Sequence, residues 1–144
     1  MPTDGVGTYA SEKVFSSFGA HRFTGAADGS FWEVAPRGEG TQTTDGCGGE
    51  IVRSLDPVRG YTLKYTCLPT SPDVAYLDMK YEFDRDTGLG MLPISITNLL
   101  GKEVFIAAKA WVKNVATVTY DKVGTMREYS FDTAVAKWNR SVAV

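Results

Sequence analysis

Period-two alternation of apolar and polar residues constrains this chain more than any other feature. In YTLKYTC (61–67), Tyr61, Leu63, Tyr65 and Cys67 fall on one side, and Thr62, Lys64 and Thr66 on the other. REYSFDT (127–133) does the same: Tyr129 and Phe131, with Ala134 nearby, oppose Glu128, Ser130 and Asp132. MLPISIT (91–97) groups Leu92, Ile94 and Ile96, with Pro93 marking an edge or a strand start. Successive strand side chains point to opposite faces, so these are half-buried strands with one wet face. Further strands are expected near 13–18, 20–25, 30–35, 50–55 and 115–120. EVFIAAKAWVK (103–113) is apolar on both faces in its first half. Such a strand is central, or its second face is covered from outside the domain.

One segment breaks the alternation. SPDVAYLDMKYEFDRDTG (71–88) offers Ser71 as an N-cap, Pro72 at the first helical position and Asp73 near the positive end of the helix dipole. Gly88 suits the left-handed closing position, so a helix is predicted over about residues 72–86. At about 100° per residue, Val74, Leu77 and Tyr81 form one stripe, and Tyr76, Met79 and Phe83 another on nearly the opposite side. A surface helix needs one apolar stripe. A second stripe means a partner-facing side or a helix sunk in its own fold, and the sequence leaves both open. Strands, one helix, then strands predict a mainly-β, antiparallel sandwich or barrel.

At 144 residues the chain is read as a single domain, with a loose arm of small and polar residues at 1–11. That arm lacks the basic and apolar regions of a secretory signal, and no apolar run reaches a membrane-spanning length. Fifteen basic against 17 acidic residues give a net charge of −2, without the basic excess of a nucleic-acid-gripping protein. Cys47 and Cys67 read as two reduced thiols; with no CxxC pair and His21 as sole histidine, the usual zinc site cannot be built within the chain.

GEGTQTTDGCGGE (38–50) holds five glycines and no large apolar side chain. It fails as a dinucleotide fingerprint, because Thr43 stands where the third glycine belongs and a strand follows. Gly101-Lys102 lacks the hydroxyl and the loop of a Walker site. A calcium loop from Asp84 fails at Leu89 and Ser95. Asn139-Arg140-Ser141 is a bare sequon, and no elbow motif or carboxylate pair joins His21 in a catalytic set. No catalytic, cofactor or metal residue is nominated. What remains is a long Gly-rich hairpin arm over about 36–50, flanked by SFWEV and EIVRSL, with Asp45-Gly46 as its turn signal. Loops of this length are functional or ordered by a partner. The arm residues are Gly38, Glu39, Gly40, Thr41, Gln42, Asp45, Gly46, Cys47, Gly48 and Gly49.

Over roughly residues 14–134 the chain resembles the tail tube proteins of long-tailed, mostly contractile bacteriophages. The matching pieces are GAADGSFWEV (25–34), CGGEIVRS (47–54), LPTSPDVAYLDM (68–79), AKAWVKN (108–114) and TMREYSFDTA (125–134), in that order. The family usually reads ADGE where this chain has DGCGGE. The resemblance implies a non-enzymatic β-sandwich subunit of the virion tail, without cofactor, assembled in the host cytoplasm. Its copies would form hexameric rings stacked into a tube, with sheath, baseplate and tape-measure proteins as partners. DNA would pass through without specific binding. The arm would reach a neighbouring subunit or ring, and the stripe Tyr76, Met79 and Phe83 would face a partner. A tube initiator, terminator or baseplate tube component stays open. So do a monomeric binding module using Trp32, Trp111 and Trp138, and a small β-barrel enzyme.

Overall fold

The computed structural model describes Tyr9 and residues 13–26, 31–99 and 103–139. In chain order the elements are β1 (Val14–Phe18), β2 (His21–Arg22), β3 (Trp32–Pro36), β4 (Thr41–Asp45), β5 (Ile51–Leu55), β6 (Tyr61–Cys67), α1 (Pro72–Thr87), β7 (Leu92–Asn98), β8 (Glu103–Asn114), β9 (Arg127–Thr133) and β10 (Ala136–Asn139). The expected arm at 1–11 (Tyr9 apart), the Gly101-Lys102 pair and the sequon beyond Asn139 lie outside the described residues.

Eight strands form one antiparallel sheet in the order β2-β1-β7-β8-β9-β6-β3, with β10 also paired to β8. The long strand β8 joins two halves. Its first part pairs with β7 (Ile106 opposite Ser95) and β10 (Ile106 opposite Lys137), its second part with β9 (Trp111 opposite Asp132). Register shifts fall at Leu92/Ile94 and Val112/Asn114, and such irregularities bend strands. The inner faces of the two halves therefore meet as a sandwich. Phe18 lies 5.4 Å from Phe131, and Tyr61 lies 5.2 Å from Phe105, both edge-to-face. Trp32 donates its indole N–H to Ser16 Oγ at 3.1 Å, tying β3 to β1.

The alternation read from the sequence is the core. Leu63, Tyr65, Cys67, Tyr129, Phe131 and Ile94 are buried, and Tyr61, Leu92 and Ile96 pack half-buried against them. Each such large side chain contributes roughly 1.5–3 kcal/mol when fully buried. The predicted helix forms as α1. Ser71 Oγ accepts from the Asp73 N–H at 3.2 Å, and Gly88 (φ 72°) closes it, donating to the Asp84 carbonyl at 2.7 Å.

Two expectations are corrected. Residues 115–120 are not a strand: β8 stops at Asn114, and 115–126 run irregularly and mostly exposed to β9. Val115, Thr117, Val118 and Thr119 have β propensity, but no described strand lies alongside to complete a ladder. Second, SFWEV and EIVRSL are not the two legs of one hairpin. β3 pairs with β6 (Val34 opposite Leu63), whereas β5 pairs with β4 (Arg53 opposite Thr43) in a separate two-stranded sheet. The hairpin is thus 41–55, and the tract expected to be loop supplies one of its strands.

Candidate assembly surfaces

The hairpin β4–β5 exposes every residue of both strands, including the apolar Ile51, Val52 and Leu55. Its neck is fastened by Asp56. The Asp56 carboxylate accepts from the backbone N–H of Glu39 at 2.7 Å and of Val58 at 2.9 Å, and these donors hold its pKa below the ordinary carboxylate value. The Asp56 N–H donates to the Gly40 carbonyl at 2.8 Å, and Gln42 donates to the Glu39 carboxylate. Gly38 has to be glycine: a Cβ there would lie 2.5 Å from the Val58 carbonyl oxygen. At the tip the Gly46 N–H meets the Glu50 carbonyl at 2.7 Å, the Gly48 N–H meets the Glu50 carboxylate at 3.0 Å, and Gly49 turns at φ 89°. The ten arm residues read from the sequence all lie on this neck, strand β4 or tip. Cys47 at the tip is an exposed free thiol, whereas Cys67 is a buried one.

Helix α1 divides its second stripe. Tyr76 belongs to its own domain: its hydroxyl donates to the Phe18 carbonyl at 3.1 Å and its ring stacks on His21 at 4.2 Å and 16°. Met79 and Phe83, one and two turns further on, are 56% and 43% exposed. The helix backs onto the sheet through Leu77, which is fully buried, and half-buried Val74 and Tyr81. Lys80 caps the exposed side, its ammonium 5.5 Å from the Tyr76 ring and 5.6 Å from the Phe83 ring.

Asp73 does more than favour the helix dipole. It is fully buried, and its carboxylate receives Tyr65 Oη at 2.7 Å, the Thr24 N–H at 3.1 and 3.2 Å, and His21 Nε2 at 2.6 Å. This node ties α1 to β2 and β6. It engages the sole histidine and leaves no nucleophile beside it, since Ser71 Oγ donates to the Thr24 carbonyl at 2.8 Å. Among the described residues no cluster of His, Cys, Asp and Glu is placed to hold a metal ion.

Of two further exposed apolar surfaces, the sequence reading anticipated one and missed the other. On the outer face of β8, Ile106 is 52% exposed beside Val135 at 62%. The loop 115–126 presents Val118, Tyr120 and Val123 to solvent. The first was signalled by the two-faced apolar run at 103–113; the second was masked by its strand-like composition. The three tryptophans are all half-buried, and Trp32 and Trp138 line one hollow together with Phe105 and Ile96. Trp32 packs 4.7 Å from Tyr65, Trp138 packs 5.9 Å from Phe105, and Trp111 is half-buried.

This fold is shared with components of contractile injection systems. The tube-terminating cap of the anti-feeding prophage matches with a TM-score of 0.61 at 8% identity, covering 93% of this chain and 92% of that one. A chain of the extended sheath-tube complex of the PVC extracellular contractile injection system matches at 0.59 and 11% identity, covering 93% of each. A chain of the PVC sheath/tube terminator matches at 0.55 and 11%, covering 94% of this chain and 99% of its own. No family model matches the sequence, and no curated protein does.

Proposed function

We propose that this chain is a non-enzymatic structural subunit of a tail-like tube, its copies closing into hexameric rings that stack to form the conduit of a contractile phage tail or related particle. The observation that carries the reading is the hairpin 41–55, set on a tube-type fold with all of both strands exposed, three large apolar side chains among them. A two-stranded ribbon standing alone is marginal in water, so a neighbouring subunit or ring is what orders it. Met79 and Phe83 supply a second contact, facing sheath or the adjoining subunit. Sheath, baseplate and tape-measure proteins are the further partners, and the particle tail is the location, reached by assembly in the host cytoplasm. The net charge of −2 suits a conduit past which DNA slides without being held, because each phosphate contact would add about 0.9 to the salt slope of binding.

Negative-stain microscopy of the purified protein at high concentration, with light scattering for mass, tests the proposal. Hollow tubes of uniform width are expected; a monomer at every concentration would count against it. A second reading, a tube terminator, is favoured because two of the similar structures are a cap and a terminator. Single rings that never lengthen would mark that role.

A further inference from the structure

We infer that the aromatic hollow at one end of the sandwich binds the head group of an organic cation: a quaternary ammonium, an alkylammonium or a guanidinium. The inference does not draw on the assembly reading and holds for a single copy of the chain.

The register shows what this end is made of. Residues directly opposite one another across paired strands share a face. On the inner face one row runs Ser16, Ile96, Phe105 and Trp138. The row outside it is Val14, Asn98 and Glu103, the terminal residues of β1, β7 and β8. Trp32 and Val34 reach in from β3, and between them and the two rows lies a hollow of about 210 Å³. Phe105 and Trp138 meet at 90° with their rings 5.9 Å apart, so they stand as two walls of a corner. Trp32 is fixed by its bond to Ser16 Oγ at 3.1 Å and by the Tyr65 ring at 4.7 Å.

Glu103 is the residue out of place. It alternates with Phe105 and Ala107, both buried, so the strand period sets a carboxylate on the face turned to the core. It is half-buried and lines the hollow, and its carboxylate has no hydrogen bond or ion pair with any described residue. A carboxylate drawn into an apolar hollow is costly unless a positive group meets it. Aromatic ring faces are negative as well and attract the same partner, tryptophan most of all. An anion would be repelled by both, and a neutral apolar guest would leave Glu103 unmatched. A hard divalent metal ion needs more oxygen ligands than one carboxylate and the Asn98 amide offer. A cation with alkyl or planar surface satisfies rings and carboxylate together. The hollow is smaller than the roughly 300–1,000 Å³ of drug-sized sites, so it takes a head group and not a large ligand.

Choline chloride is the probe, and its neutral isostere, with a tert-butyl group in place of the trimethylammonium, is the control. Tryptophan fluorescence reads the binding, because two of the three tryptophans line the hollow. Saturable choline binding is expected, at least about tenfold tighter than that of the isostere. Glu103→Gln should weaken choline by about tenfold or more while leaving the isostere, the circular dichroism spectrum and the melting temperature unchanged. Acetyl-lysine methylamide separates the two sources of such a head group. Binding tighter than choline assigns the site to a protein side chain, and weaker binding assigns it to a free small molecule. No saturable response to either cation, equal affinity for the isostere, or choline binding undiminished in Glu103→Gln would overturn the proposal. So would a marked loss of stability in Glu103→Gln, which would mean that the carboxylate already holds a cation of its own chain.

Discussion

His21 Nε2 lies 2.6 Å from a carboxylate oxygen of Asp73, a residue with no solvent exposure at the first turn of the only helix described. A buried carboxylate persists only where donors surround it. Here the imidazole, the Tyr65 hydroxyl and the Thr24 N–H converge on it from β2, β6 and the segment between β2 and β3. The helix is held to the sheet by polar bonds at its start and by Leu77 one turn on.

Asp73→Ala therefore strands the buried Tyr65 hydroxyl, the half-buried His21 imidazole and the Thr24 N–H, and it should destabilise the fold by roughly 3 kcal/mol. Urea unfolding followed by tryptophan fluorescence measures this. A loss under about 1 kcal/mol would mean that the donors find water instead.

Removing 41–55 and joining Gly40 to Asp56 should leave the domain folded, since those two backbones are already hydrogen-bonded at 2.8 Å and the excised residues are exposed. The melting temperature should barely change while tube growth stops. A shortened chain that still polymerises sinks the assembly role of the arm.

The two sides of α1 should respond in opposite ways. Leu77→Ala opens a cavity in the core at a cost of about 2–5 kcal/mol. Phe83→Glu touches a half-exposed position and should spare the melting temperature yet weaken assembly or sheath binding in sedimentation. Comparable melting losses in both variants would place Phe83 in the fold instead.

The two thiols should differ sharply. Burial pushes the Cys67 pKa up to about 11, whereas Cys47 stands exposed on the hairpin tip. At neutral or mildly alkaline pH, a thiol reagent should modify one group quickly in the native protein and the second only after unfolding. Two fast groups would contradict the buried placement of Cys67.

Stability should fall on the alkaline side. Burial, reinforced by the Asp73 hydrogen bond at Tyr65 and the Asp78 charge at Tyr129, raises both tyrosine pKa values above the ordinary 10.0. The native state holds those protons more tightly than the unfolded chain. The stabilisation is complete below the unfolded value and is lost as pH climbs from there through the raised native values. Melting curves between about pH 8 and 11 should show a steepening decline, with the tyrosinate absorbance of two of the seven tyrosines appearing only as the protein unfolds. Ionisation of all seven tyrosines in the folded state, each with an ordinary midpoint, would refute it.

What was legible in the sequence was whatever is written locally. The inward positions of β6, β7 and β9, and both caps of α1, follow from side-chain period and from Ser71 and Gly88, so the mainly-β class with one helix needed no tertiary information. The arm was legible as glycine-rich and free of core residues. Its hairpin pairing was not, because strand pairing depends on which edge meets which, and β5 has the same composition as a sheet strand. Likewise the strand-like tract at 115–120 stays irregular for want of a neighbour.

The sequence by itself determined which faces are apolar; the tertiary structure alone decided which of them are covered. Tyr76, Met79 and Phe83 form one stripe by spacing, yet contact with Phe18 and His21 takes in Tyr76 and leaves the other two outside. The same holds for Asp73, whose partners come from residues tens of positions away. Burial is a property of what packs opposite, and no local spacing encodes that.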